Sequence, residues 1–246
     1  MPLDLCDFDT KTRFAIKVFW GARDAAAQAQ LARGKQDAGS RGAVTSGKNM
    51  DGFLGLVKDV VSANGLPDAT VHVKKGVVVL PGYFRPTKLW DVVVMRGPEL
   101  IAVLEFKSQV GPSFGNNFNN RTEEAIGSGH DIMTAYREGA FGEDARKPFL
   151  GWLIHVEDCA ASTKPIKTTS PHFPVMEGFE NNPSYATRYD MLCRRMVQEQ
   201  LYDAATLLMS PRSSRDGGDY SELSELTSIK SLVAGLAAHV ATVAAV

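Results

Sequence analysis

Helical spacing of apolar residues marks two stretches near the start of the chain. Phe14 and Phe19 belong to one apolar stripe, which an alanine-rich run extends. A second stripe ends at Asn64, a residue type that commonly closes a helix. This pattern predicts helices over Phe8–Ala32 and Met50–Ala63.

Short apolar runs replace the helical spacing after residue 65. Valine and leucine recur in these runs, and turn residues separate them, as in neighbouring β-strands. The last two runs flank Gly97-Pro98, so they should pair as an antiparallel hairpin. The predicted strands are Ala69–Val73, Val77–Leu80, Leu89–Met95 and Leu100–Phe106.

The rest of the chain predicts further helices and one more strand. Glycine and asparagine concentrate in Gly111–Arg121, which favours a loop there. The order of elements predicts an α/β fold in which helices flank one mixed central β-sheet, with residues 1–246 as a single domain. The remaining predicted elements are helices over Thr122–Glu138, Ser184–Met209 and Ser221–Val246 and a strand over Pro148–Val156.

Residues 34–49 differ from their surroundings in composition. This segment carries four glycines with scattered lysine and arginine, so we expect it to be mobile. Lys35, Arg41 and Lys48 could contact phosphates and become ordered on binding, or they could belong to an ordinary solvated loop.

Composition and charge exclude several classes of protein. The net charge is −1, which argues against a non-specific nucleic-acid binder but allows basic residues to gather on one face. The three cysteines lie far apart and suggest neither a disulfide framework nor a zinc site. No segment is long and apolar enough to span a bilayer, and the N-terminus lacks a signal-peptide pattern, so we expect a cytoplasmic protein.

Two acidic residues face each other in the predicted hairpin. Pairing around Pro98 places Asp91 directly opposite Glu105, with Cβ atoms ~5 Å apart. Strand alternation puts Lys107 and Gln109 on the same face as Glu105. Like charges so placed repel each other, so protonation of one acid or a bound cation must offset the cost.

A divalent metal would account for this arrangement. The carboxylates of Asp91 and Glu105, with the backbone carbonyl of Phe106, form a hard-oxygen site that suits Mg²⁺. Lys107 could orient a water molecule or stabilise charge on a phosphorus centre, and the metal would polarise the phosphoryl oxygen. These parts suit phosphodiester hydrolysis. The plainer alternative is a strand-end acid beside an exposed Glu-x-Lys pair, although the apolar residues on both sides argue against exposure.

The same residues resemble a known nuclease motif. Asp91, thirteen further residues and then Glu105-Phe106-Lys107 look like the PD-(D/E)xK motif, with Trp90 in place of its usual proline. Similarity to the XhoI restriction endonuclease family extends over nearly the whole chain. The segments that carry it are Arg41–Thr45, Gly47–Phe53, Ala63–Leu66, Leu80–Lys88, Glu105–Arg121, Thr134–Gly142 and Pro171–Val175.

The resemblance implies a restriction-endonuclease-like fold and a Type II restriction endonuclease that cuts double-stranded DNA. Family members recognise the palindrome CTCGAG and cut after its first C, with Mg²⁺. The family's acids and lysine correspond to Asp91, Glu105 and Lys107 in this sequence. Asp51 is our first choice for a further metal-binding acid and Asp59 the second, although both could be solvated helix acids.

The resemblance also implies how the DNA is bound. A two-fold homodimer matches a palindrome, and a cognate DNA methyltransferase is the expected functional partner, without direct binding. Segment Gly111–Arg121 follows the catalytic strand, so its amides are candidates to contact bases, although Asn and Gly are also ordinary turn residues. The candidate DNA-binding residues are Arg85, Lys88, Gln109, Asn116, Asn117, Asn119, Asn120 and Arg121.

Several other residues are expected to be structural. We place Tyr83, Phe84, Trp90 and Trp152 in the core, and we interpret His172 as a structural histidine. Two other functions stay open on the residues themselves: a repair or recombination nuclease that cuts by DNA structure, and a non-catalytic DNA-binding module of the same fold. The chain-wide resemblance disfavours the first alternative, and the presence of both acids and the lysine disfavours the second.

Overall fold

The structure, a computed structural model, describes residues 2–32 and 50–246. The segment 34–49, which was predicted to be mobile, lies outside the described residues together with its lysine and arginine side chains. No helix in the described part of the chain is long and apolar enough to cross a membrane. All three cysteines are free thiols, as expected.

Two helices and then five strands open the described chain, and the remaining helices and strands follow from residue 114 onward. The helices are α1 (Phe8–Ala32), α2 (Asp51–Ala63), α3 (Phe114–Arg137), α4 (Ala160–Thr163), α5 (Tyr185–Gln198), α6 (Ser214–Gly217) and α7 (Ile229–Ala244). The strands are β1 (Thr70–His72), β2 (Val79–Pro81), β3 (Thr87–Leu89), β4 (Val92–Arg96), β5 (Glu99–Gln109), β6 (Phe149–Glu157) and β7 (Ala204–Ser210).

One mixed sheet organises the molecule. Its five strands follow the order β1-β4-β5-β6-β7. Neighbours are antiparallel from β1 to β5 and parallel from β5 to β7. Strands β2 and β3 form a separate antiparallel pair. The predicted α/β fold with a mixed central sheet is confirmed, and the arrangement is consistent with a restriction-endonuclease-like fold.

Helices cover both faces of the sheet and bury its central strand. Residues of α1, α2 and α7 pack on one face, where Leu104 and Phe106 of β5 meet them. Residues of α3 and α5 pack on the other face with Val103. Strand β5 is therefore apolar on both sides, and a charged side chain along it is costly unless it is paired.

The segment Gly111–Arg121 was predicted to be a loop, and for most of its length this is wrong. Helix α3 begins at Phe114, eight residues before the predicted helix start. Phe114 is buried and stacks on Tyr185, and Phe118 packs edge-on against Tyr189. Aromatic packing against α5 thus overrides the weak helix propensity of asparagine and glycine.

The single helix predicted over Ser184–Met209 is also wrong in its second half. Helix α5 ends at Gln198, Gln200 adopts a positive φ of 57°, and the chain then enters β7. All seven residues of β7 are buried. A continuous apolar run has the same pattern in a buried strand as in a buried helix, which explains the error.

The C-terminal helix is shorter than predicted. The prediction began at Ser221, but α7 begins at Ile229. The preceding residues run beside β7, where Ser221 pairs with Met209 and the N–H of Leu207 donates to Thr227. This extension covers the outer edge of β7, which would otherwise expose unpaired backbone groups.

Two of the aromatic residues assigned to the core are on the surface instead. Trp90 and Trp152 are buried, as predicted, but Tyr83 and Phe84 are 54% and 65% exposed. His172 is also exposed rather than part of a packed structural environment. Apolar character alone does not place a loop residue inside, because much of a protein surface is apolar.

Candidate active site

A β-bulge sets the register of the β4–β5 hairpin. Next to the turn Arg96 pairs with Glu99, and this register, if continued, would bring Asp91 opposite Leu104. The bulge shifts the pairing by one residue, so that Asp91 comes opposite Glu105 at the far end of the hairpin. Because a one-residue slip turns every side chain to the other face, the bulge decides whether the two acids meet.

The backbone of β5 holds Asp91 in place. The N–H of Phe106 donates to Asp91 Oδ2 at 2.8 Å. The Phe106 side chain points to the opposite face of the sheet, where its ring lies 6.1 Å from that of Phe53, centroid to centroid. The strand alternation that the sequence predicts is therefore present around Glu105.

Glu105 is a buried carboxylate shared by two lysines. Only 2% of its side chain is exposed. Its Oε1 accepts from Lys107 Nζ at 2.5 Å and from Lys88 Nζ at 2.9 Å. Its Oε2 is buried without a hydrogen-bond partner in the described structure. One oxygen of this carboxylate is thus doubly engaged, while the other is left to receive a further ligand.

Helix α3 contributes a residue that the sequence did not point to. Glu124 Oε1 lies 2.9 Å from Lys107 Nζ, and Glu124 Oε2 lies 2.6 Å from an Arg121 nitrogen. The Arg121–Glu124 pair has ordinary helical spacing, so its sequence signal is that of a surface ion pair. Its contact with Lys107 appears only when α3 docks against the sheet.

The protein environment shifts the pKa values of this cluster. Burial by the surrounding chain raises the pKa of Asp91 despite the opposing effects of Lys107 and the Phe106 N–H, even though the residue keeps access to solvent. Burial would lower the pKa of Lys107, but Glu105, Glu124 and Asp91 outweigh it and hold that pKa above its usual value. Burial would raise the pKa of Glu124, but Lys107 and Arg121 hold it below its usual value. The ammonium group of Lys107 is therefore stabilised in its charged form.

The donor set fits a hard divalent cation held partly by non-protein ligands. In the residues that the structure describes, no group of three or more His, Cys, Asp or Glu side chains is arranged so that it could hold a metal ion by itself. Asp91 and Glu105 supply two carboxylates, one with a buried unpartnered oxygen. Mg²⁺ is commonly held by one or two carboxylates, with waters and substrate phosphates completing the shell. The pair is sufficient for that kind of site.

The two further acids that were considered both lie on α2. Asp51 is the first residue of this helix, and Phe53 of the same turn contacts Phe106 of β5 on the sheet face opposite to the paired acids. Asp59 lies two turns further along the helix and forms an ion pair with Lys11. A metal-binding role for Asp51 stays a prediction.

The candidate DNA-contacting asparagines occupy the first turns of α3. Asn116, Asn119 and Asn120 are exposed, whereas Asn117 and Arg121 are partly buried. The exposed residues are spaced by three and four positions, so they share one helical face. A single strip of amides on a rigid element thus replaces the flexible loop that was expected.

The other candidate DNA contacts are engaged within the protein. Arg85 Nε lies 2.7 Å from Asp131 Oδ2 on α3, and its side chain is 40% exposed. The ammonium group of Lys88 donates to the carboxylate of Glu105. Gln109 is 2% exposed and donates to the carbonyl of Val110, so it does not reach a DNA groove in this arrangement.

Asp131 also shapes the loop between β2 and β3. Its Oδ1 accepts the backbone N–H groups of Tyr83 and Phe84 at 2.8 and 2.7 Å. A Cβ on Gly82 would lie 2.4 Å from Asp131 Oδ2, so this close approach requires glycine. The loop wraps around a buried carboxylate and leaves its two aromatic rings outside.

Comparison with known proteins adds a family context. The family model described as "Restriction endonuclease XhoI" matches residues 29–222. The Type II restriction enzyme XhoI of Xanthomonas vasicola is 49% identical over 212 residues, 86% of this chain and 84% of that protein. The Type II restriction enzyme AbrI of Azospirillum brasilense is 55% identical over 185 residues, 75% of this chain and 82% of that protein. BstVI of Geobacillus stearothermophilus, also a Type II restriction enzyme, is 47% identical over 215 residues, 85% and 95% of the two chains. No solved structure gives a significant match.

Proposed function

The chain belongs to the XhoI family of restriction endonucleases, and from this we propose that it cuts double-stranded DNA at CTCGAG. It is a Type II site-specific deoxyribonuclease that, in our proposal, depends on Mg²⁺ and cleaves after the first C to leave a 5′ overhang. The observation that carries the chemistry is the meeting of Asp91, Glu105 and Lys107 at one end of the β4–β5 hairpin.

Asp91 and Glu105 are proposed to hold the metal, with the Phe106 carbonyl and Asp51 as further candidate ligands. When bound, Mg²⁺ polarises the phosphoryl oxygen and helps to generate hydroxide from water. The exposed side of Asp91 faces solvent, so DNA can approach it. The buried Oε2 of Glu105 supports a ligand role for that residue.

Lys107 is proposed to orient the attacking water or stabilise charge on the phosphorus centre. Glu105 and Glu124 hold its ammonium group from two sides, at 2.5 and 2.9 Å. This fixes the position of the group before the substrate arrives, which is how preorganised charges stabilise a transition state. Its raised pKa keeps it charged throughout the neutral range.

DNA recognition is proposed to involve the exposed strip on α3. Asn116, Asn119 and Asn120 present amides that can pair with adenine edges. Arg85 and Arg121 are partly exposed and remain candidate phosphate or base contacts after rearrangement of their ion pairs.

A palindromic target favours a two-fold homodimer in which each subunit cuts one strand. A cognate methyltransferase would protect host sites in the cytoplasm, where both enzymes would act on DNA. Gel filtration that gives a stable monomer even with cognate DNA would contradict the dimer.

One digest tests the proposed function. A plasmid with a single CTCGAG site is incubated with the purified protein and Mg²⁺, beside the same plasmid with one base of the site changed. The expected result is one linear product from the first plasmid only, with ends that begin at the second base of the site. Smearing, cutting at junctions or an intact plasmid would each contradict the proposal, and addition of a chelator should stop the cleavage.

A further inference from the structure

Lys88 reaches the candidate active site from outside the β4–β5 hairpin. It lies on β3, in the separate β2–β3 sheet. Only 9% of its side chain is exposed, and its Nζ lies 2.9 Å from Glu105 Oε1. The same Nζ lies 4.6 Å from the centroid of the Trp90 ring. Lysine is seldom buried unless it is paired, so this placement on Glu105 is a specific arrangement.

The charges of the cluster balance without any further ligand. Three acids and three bases are joined by direct contacts or face each other across the hairpin, so their formal charges sum to zero. The acids are Asp91, Glu105 and Glu124, and the bases are Lys88, Lys107 and Arg121. A divalent cation would add two positive charges beside buried ammonium groups, where solvent and salt screen repulsion poorly.

We propose that Lys88 is an internal counter-cation that competes with the metal for Glu105 and is displaced when the metal enters. Lys107 has a second carboxylate, Glu124, at 2.9 Å. Within the described part of the chain, Glu105 is the one carboxylate that Lys88 contacts. Lys88 therefore loses fewer contacts on leaving, and the face of Trp90 can still hold its ammonium group through a cation–π interaction.

Displacement would give Lys88 a role in DNA binding. An ammonium group released from Glu105 is available to a DNA phosphate, so metal and DNA would each favour the entry of the other. This consequence rests on the proposed nuclease function, whereas the competition at Glu105 does not.

Calcium binding in the absence of DNA tests the competition directly. Isothermal titration calorimetry compares the Ca²⁺ affinity of the unmodified chain with that of the Lys88→Met variant. This substitution removes the positive charge and keeps most of the side-chain length. We expect the variant to bind Ca²⁺ at least about ten-fold more tightly, because one of the two ammonium groups on Glu105 is gone. Unchanged or weaker binding overturns the proposal.

Three further variants locate the effect. Lys88→Arg keeps the positive charge and should bind Ca²⁺ as weakly as the unmodified chain. Lys147→Met removes a lysine that pairs with Asp203 at the surface, and it should leave Ca²⁺ affinity unchanged. Glu105→Gln in the Lys88→Met background should abolish the increase in Ca²⁺ affinity. A gain that persists in the double variant would place the bound Ca²⁺ elsewhere and contradict the assignment.

Thermal unfolding with and without Ca²⁺ extends the test to variants too unstable for calorimetry. Ca²⁺ should raise the Tm of Lys88→Met more than that of the unmodified chain, since at one ligand concentration the folded state gains more stability from a ligand that binds it more tightly. An equal or smaller rise contradicts the proposal. Neither measurement contains DNA, so failure of the plasmid digest and failure of this inference are separate results.

Discussion

The candidate active site has a strand half and a helix half that differ in how they are built. Asp91, Glu105 and Lys107 belong to one hairpin, and their relative positions follow from strand pairing and alternation. Arg121 and Glu124 belong to α3, which reaches the same cluster only through packing on the sheet. The strand half supplies the groups proposed to perform chemistry, and the helix half holds one of them in place. Substitutions in the two halves should therefore have effects of different size.

The largest loss is expected from Glu105→Ala in the strand half. Removal of a proposed metal ligand should lower the initial rate of plasmid cleavage by roughly 10³ or more, since the metal is worth several kcal/mol in such reactions. DNA binding in a mobility-shift assay should persist or change only through the metal. Glu143→Ala, at an exposed position, serves as the control and should cleave normally. A normal cleavage rate for Glu105→Ala would refute the site assignment.

Lys107→Met should cost less than loss of the metal ligand. The variant loses a preorganised positive charge, and comparable losses in other enzymes cost roughly 10² in rate. The measurement is single-turnover cleavage, which separates the chemical step from binding and product release. A variant that binds DNA poorly but cleaves bound DNA at the usual rate would show that Lys107 belongs to the binding surface instead.

Glu124→Gln tests the helix half. Glu124 positions Lys107 and helps to raise its pKa, so its loss should lower the cleavage rate about ten-fold. The alkaline arm of the pH–rate profile should also move to lower pH, because the ammonium group of Lys107 then loses its proton more readily. The adjacent exposed residue gives a matched control, Glu123→Gln, which should change neither rate nor profile. If the alkaline arm does not move in Glu124→Gln, Glu124 does not act on Lys107 and is only a partner in a surface ion pair.

Asn119→Ala should have the smallest effect. If Asn119 contacts a base edge, its loss should weaken binding to CTCGAG up to about ten-fold and reduce discrimination against a duplex with one altered base pair. Equilibrium binding with Ca²⁺ measures both quantities. Asn181→Ala, on the exposed loop before α5, is the control. Weaker binding to both duplexes by the same factor would assign Asn119 to phosphate contact.

The strand half could be predicted because its signals are local. Apolar runs identified β4 and β5, and alternation placed Leu104 and Phe106 away from the acids. The predicted opposition of Asp91 and Glu105 agrees with the structure for a reason that was not anticipated. Pairing centred on Pro98 matches the true register only because the bulge adds one residue beyond the two-residue turn. Bulges have little sequence signal of their own.

The helix half could not be predicted because its contacts are not local. Nothing near Glu124 indicates Lys107, which lies on another element. The aromatic packing of Phe114 and Phe118 that extends α3 backward depends on the position of α5. The same holds for Tyr83, which is exposed because a carboxylate 48 residues away accepts its N–H. Tertiary contacts, rather than propensity, decided each of these features.

The bulge compensates for an odd number of residues between the two acids. Thirteen residues separate Asp91 from Glu105, whereas an unbroken ladder around a two-residue turn leaves an even number between opposed residues, so the bulge takes up the extra one. Loss of one residue together with the bulge would keep the two acids opposite each other. With the bulge retained, the same loss would place Asp91 opposite Leu104 or Phe106, and the two carboxylates would project from opposite faces of the sheet. During evolution the hairpin can therefore change length by one residue without separating the acids only if the bulge is gained or lost in the same step.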